Sequence, residues 1–170
     1  MTVIGFLAHT PPWVFLLFFY FLWRGIRAMR PADVTLPKLA LLPVILTVWG
    51  LYELIRVYGL EPDVCGLWVG GLVLGIGLGL LMLRGAKISV DPMSGVIHRP
   101  ADFTLLPLIL MAFAVKYAFG AMAVIDPALL QEFSMRLADL GLSGTFTGIF
   151  IGKFAVYATR YFSARAAVKG

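Results

Sequence analysis

The sequence predicts an all-α membrane protein: five transmembrane helices, a short cytoplasmic β-hairpin and an extracytoplasmic amphipathic helix, forming a single domain over residues 1–170. Three observations lead there. Hydrophobic residues fill 61% of the positions and charged residues 14%, against roughly 45–50% and about 25% in soluble domains. Apolar stretches of about 20 residues, the length that crosses a hydrocarbon core of about 30 Å, recur along the chain. The basic residues fall between those stretches, so the net charge of +5 points to lipid headgroups as the partner and not to nucleic acid.

The first span, 11–28, opens on Pro11 and Pro12, which a first turn tolerates because its N–H groups have no helical acceptor to lose. Arg24, Arg27 and Arg30 follow at helical spacing and can snorkel toward phosphates. None of the first 23 residues is Lys, Arg, Asp or Glu, so the basic head of a secretory signal is missing and this span is expected to be retained. Residues 1–10 are apolar but short and are expected to lie in the interface.

The second span, 39–58, starts after Pro37 and Lys38 and contains Pro43, which frees a backbone carbonyl and favours a kink. The third, 64–83, carries no charge and is closed by Arg84 and Lys87. Residues 88–100 break the helical pattern and read as two short strands around a Pro-and-Gly turn. The fourth span, 105–125, follows. Asp126-Pro127 is a helix start, and Leu129, Leu130, Phe133 and Leu137 share one side of a short surface helix ending near Asp139, with Glu132 and Arg136 four apart. The fifth span is placed at 140–161.

Five spans put the termini on opposite sides. With the N-terminus outside and the C-terminus in the cytoplasm, Arg24, Arg27, Arg30, Lys38, Arg84, Lys87, Arg99, Arg160, Arg165 and Lys169 face inward and only Arg56 and Arg136 fall on the other side. That bias is the basis of the predicted orientation.

Small residues let helix backbones approach closely in lipid. Gly66, Gly70 and Gly77 lie on one side of the third span and Gly71, Gly75 and Gly79 on roughly the opposite side, which predicts a central helix gripped by two neighbours. Gly144, Gly148 and Gly152 form a second row, available either to a helix of the same chain or to a second protomer.

Lys116 sits in the middle of an otherwise uncharged run, where a lysine costs about 2.5–3.5 kcal/mol on insertion scales and is expected to have a partner or a task. Glu53, Lys116 and Lys153 are the candidate intramembrane polar site, with Glu53 pairing either Lys116 or Arg56. Gly141-Leu142-Ser143-Gly144 looks like the serine motif of rhomboid intramembrane proteases, but no base accompanies it: Lys153 lies about 15 Å further along the same helix and the histidines, His9 and His98, fall outside the spans. Gly75-Ile-Gly77-Leu-Gly79 has no preceding strand and Leu80 where a dinucleotide loop needs glycine. No catalytic residue, cofactor or metal site is therefore assigned, and the lone Cys65 reads as a packing residue.

The opening His9-Thr10-Pro11-Pro12-Trp13-Val14, followed by a short apolar helix and an Arg-rich exit, resembles that of a family of small uncharacterised bacterial integral membrane proteins. The resemblance implies a bacterial cytoplasmic (inner) membrane and no particular activity. The first functional reading is thus a non-catalytic membrane assembly or interaction subunit, with a second copy or another membrane protein as partner. The alternative is a transport or permeation component for an anion or small acidic solute using Lys116 and Lys153, and the third is an intramembrane enzyme.

Overall fold

The computed structural model describes residues 12–126 and 128–168. Residues 1–10, and with them the expected interfacial segment and part of the opening hexapeptide, lie outside the described residues. Helix α1 (Pro12–Ala28) leads through a bend to strand β1 (Ala32–Thr35), which runs directly into α2 (Leu36–Val57). Gly59, at φ +80°, turns the chain into α3 (Pro62–Met82), whose first turn begins on proline. Strands β2 (Ser89–Val90) and β3 (Val96–Arg99), helix α4 (Leu105–Ile125), a 3₁₀ turn (Leu129–Gln131) and α5 (Phe133–Ala166) follow. By length and composition α2, α3, α4 and α5 are able to cross a membrane. Helix α1 has 17 residues.

Two expectations are corrected. The hairpin is a three-stranded antiparallel sheet of order β1-β3-β2, because Ala32–Thr35 pairs with β3 in the register Ala32 to Arg99 and Thr35 to Val96. The separate amphipathic helix does not form: Glu132 is extended, and from Phe133 onward the backbone runs into the last span as one 34-residue helix. Phe133 is exposed while Leu130 is buried, so the proposed apolar face is not shared. Arg136 bonds Asp63 at 2.9 Å instead of pairing with Glu132.

The turn between β2 and β3 is built by Asp91, whose carboxylate accepts from Met93 N at 2.9 Å and from Ser94 Oγ at 2.6 Å. These bonds hold the Asp91 carboxyl below its ordinary pKa, the Ser94 hydroxyl contributing most. Gly95 occupies φ +69°, and a Cβ there would stand 3.2 Å from the Tyr161 hydroxyl of α5. Gly95→Ala is accordingly expected to destabilise the protein by about 1 kcal/mol, the scale of the left-handed penalty, read as a lower thermal midpoint in detergent. An unchanged midpoint would show that the turn relaxes without strain.

Side-chain packing divides into three clusters. Phe21, Leu42, Leu108, Ile109, Ile149 and Phe150 join α1, α2, α4 and α5 in mid-bundle. Leu54, Val64, Trp68 and Leu140 close the end remote from the sheet, and Leu83, Ile88, Ile97 and Tyr157 seat the sheet against α5.

Helix α3 packs along α5 by backbone contact. An added Cβ on Gly71, Gly75 or Gly79 would collide with the carbonyl oxygens of Gly141, Thr145 and Ile149, and one on Gly144, Gly148 or Gly152 with those of Trp68, Leu72 and Ile76. The two rows thus face each other within one chain, at a distance only glycine permits. Gly66, Gly70 and Gly77 meet nothing within 4 Å. Helix α3 is therefore gripped on one side and lies at the edge of the bundle, where Val69, Val73, Leu74 and Leu78 are exposed on its outer surface.

Candidate functional site

Helices α2 and α5 form a seam with a polar cavity at each end. The cavity remote from the sheet has a volume of about 340 Å³ and is lined from α2 by Glu53 and Arg56, from the residue capping α2 by Tyr58, from α3 by Trp68, from α4 by Lys116 and Phe119, and from α5 by Asp139 and Ser143. Lys116 Nζ donates to Glu53 Oε2 at 2.8 Å, and Trp49 Nε1 donates to Glu53 Oε1 at 3.0 Å. Of the two partners open to Glu53, the geometry has Lys116. On the other wall the Tyr58 hydroxyl donates to Asp139 Oδ2 at 2.9 Å. Asp139 and Ser143 are four residues apart and so share a face of α5.

Three buried polar atoms of this cavity have no hydrogen-bond partner among the described residues: Trp68 Nε1, Asp139 Oδ1 and Ser143 Oγ. Native proteins leave few such atoms, because each carries its desolvation penalty uncompensated. Ser143 Oγ makes no hydrogen bond to a carboxylate, histidine or lysine among the described residues.

A narrow void of about 30 Å³ shares Gly50, Lys116 and Ser143 with this cavity and is lined further by Leu46, Trp49, Phe113 and Phe146. One helical turn further on, past Leu42 and Phe150, begins the cavity at the sheet end, of about 400 Å³. Lys153 and Asp102 lie in its wall. Lys153 Nζ donates to Asp102 Oδ2 at 2.7 Å and to Thr104 Oγ1 at 2.6 Å, and Thr104 Oγ1 donates in turn to Asp102 Oδ1 at 2.6 Å. Burial opposes ionisation of Asp102, but the hydrogen bonds from Lys153 and Thr104 and the Lys153 charge outweigh it and hold the carboxyl below its ordinary value.

Arg24, Arg27, Lys38 and Arg99 line the same cavity. Arg24 donates to the Tyr20 hydroxyl at 3.0 Å and to the Lys38 carbonyl. Arg27 lies over the Trp23 ring at 5.3 Å. Arg99 donates to the carbonyls of Ala28 at 3.0 Å and Arg27 at 3.3 Å, where a cation complements the C-terminal end of α1. Among the described residues none of these four cations has a carboxylate within 4.0 Å. The sheet-end cavity therefore carries a surplus of positive charge over apolar walls.

Glu53 and Lys116 thus meet, while Lys153 belongs to the other cavity, about 15 Å along α5 from Ser143. Sequence reasoning missed Asp102, Thr104, Tyr58, Trp68 and Asp139. Asp139 had a readable signal, a carboxylate four residues before Ser143 on an otherwise apolar face, which the expected helix break at 139 concealed.

Four helices long and apolar enough to cross a membrane, packed around a seam that holds two ion pairs, support a membrane protein. The family model described as a family of unknown function (DUF6622) matches residues 1–167, and the chain belongs to that family. No curated protein and no solved structure matches it.

Proposed function

We propose that this protein is a transport or permeation component for a small acidic solute, working across a bacterial cytoplasmic membrane with α1 as a fifth span, the N-terminus outside and the sheet in the cytoplasm. The observation that carries this reading is the pair of charged cavities placed in series along the α2–α5 seam, with apolar side chains packed between them. Intramembrane ionisable residues that face a bundle interior or a cavity are by default candidates for a functional site, solute and ion paths among them. The orientation rests on charge: Arg24, Arg27, Arg30, Lys38, Arg84, Lys87, Arg99, Arg160 and Arg165 gather at the sheet end against Arg56 and Arg136 at the other.

The surplus cations at the sheet end select anions, and the Glu53–Lys116 pair guards the opposite mouth. Pro43, inside α2 in the wall of the sheet-end cavity, lacks the N–H that would tie its turn, so α2 has a natural point of flexure. The assembly reading drew on glycine rows that this chain uses between its own α3 and α5, which leaves the transport reading with the stronger support.

Its test is uptake of radiolabelled small carboxylates, amino acids included, by proteoliposomes holding the full chain. Wild type is expected to exceed empty vesicles, and Lys116→Met to lower the rate at least tenfold. The Glu53→Gln/Lys116→Met pair, which strands no charge, serves as the folding control and is expected to be equally inactive. Wild-type rates at the level of empty vesicles, or unimpaired uptake by Lys116→Met, would refute the proposal.

A further inference from the structure

We infer that the cavity remote from the sheet binds a small zwitterion of the amino-acid class, taking its carboxylate on Lys116, Ser143 and Trp68 and its ammonium on Asp139. The inference rests on the transport reading for its purpose, and on the cavity's own unmatched atoms for its chemistry. Trp68 Nε1 is a donor only, Ser143 Oγ is donor and acceptor, and Asp139 Oδ1 is an acceptor. All three are buried, all three lack partners among the described residues, and all three residues line one space of about 340 Å³, within the range of small-molecule sites. Trp68, Asp139 and Ser143 are respectively 6%, 8% and 5% exposed, so bulk solvent does not serve them.

The partners already made sharpen the assignment. Lys116 uses one of its three N–H donors on Glu53, and Tyr58 occupies one oxygen of Asp139, which fixes the carboxylate and leaves its second oxygen unfilled. A simple anion satisfies the donors and leaves Asp139 Oδ1 without a partner. A simple amine does the reverse. A molecule carrying both groups answers every unmatched atom, and the walls contributed by Phe119, Val124 and Leu130 suit an apolar side chain. Sites built to hydrogen-bond a group reject an analogue lacking it, because their buried polar atoms are then left unpaired.

The test is titration calorimetry of the full chain in detergent with three probes matched in carbon skeleton: L-norvaline, pentanoate and butylammonium. L-norvaline is expected to bind at least tenfold more tightly than either partial probe. Trp68→Phe, which removes the N–H alone, is expected to weaken L-norvaline severalfold, and Asp139→Asn to bring the ratio of L-norvaline to pentanoate affinity within twofold. Pentanoate binding as tightly as L-norvaline, or no binding by any of the three, overturns the inference; the wild-type series decides this even if a variant does not fold. The two readings fail separately. L-norvaline bound but not carried into vesicles removes transport and leaves the site, whereas pentanoate carried without any preference for L-norvaline removes the zwitterion and leaves transport.

Discussion

Gly75→Val is expected to unfold the bundle at the α3–α5 contact. The branched side chain would collide with the Thr145 carbonyl and crowd the Cα of Gly148, both backbone atoms of a helix held on its other sides by α2 and α4. Overpacking a core side chain costs typically 1–3 kcal/mol because neighbours shift. Here the obstacle is main chain, so an effect of about 3 kcal/mol or more is expected, seen as aggregation or a large fall in midpoint on detergent size exclusion after heating. Gly148→Val strikes the same contact from the other helix, at the Leu72 carbonyl, and is expected to behave alike. Gly77→Val makes the same chemical change where a Cβ meets nothing within 4 Å and is expected to be tolerated. Equal behaviour of Gly75→Val and Gly77→Val would refute the packing account.

The second large effect belongs to Lys153. Its side chain is 5% exposed and that of Asp102 is 12% exposed, so Lys153→Met strands a carboxylate in a dry setting. Breaking a buried pair from one side typically costs 3–5 kcal/mol. Asp102→Asn/Lys153→Met, with no charge left over, is expected to recover most of that loss, and a double variant no better than the single would show that the pair is not what Lys153 stabilises. The lowered pKa of Asp102 sets the pH course. A carboxyl whose folded pKa is depressed contributes stability that is present above its unfolded value, near 3.8, and is lost as pH falls through the folded one. The contribution of Asp102 is therefore expected to fade below about pH 4, and Asp102→Asn lacks it.

Much of the architecture was legible because uncharged apolar runs and their basic boundaries are written locally, in consecutive residues. What escaped was non-local. Ala32–Thr35 is four residues long and becomes a strand only by meeting Val96–Arg99, more than 60 positions away. Asp102 lies in a polar stretch whose sequence gives no sign of depth, so its bond to Lys153, 51 residues on, had no local trace. Both faces of α3 carry glycine, and composition alone does not tell which face meets a backbone and which meets lipid. The Glu53–Lys116 pair was within reach because depth can be counted along two helices at about 1.5 Å per residue, and a carboxylate and a lysine at similar height need each other.

Helix α5 has a consequence for how the molecule can move. At about 51 Å it outruns a hydrocarbon core of about 30 Å, and along this one shaft stand Asp139 and Ser143, Phe146 at the narrow void, Lys153, and Tyr157 and Tyr161 under the strands. Proline is absent from its length. A tilt begun at the far mouth is thus delivered to the strand platform without a proline joint in which to dissipate, and whatever docks on those strands gains leverage over the cavity at the opposite end of the helix.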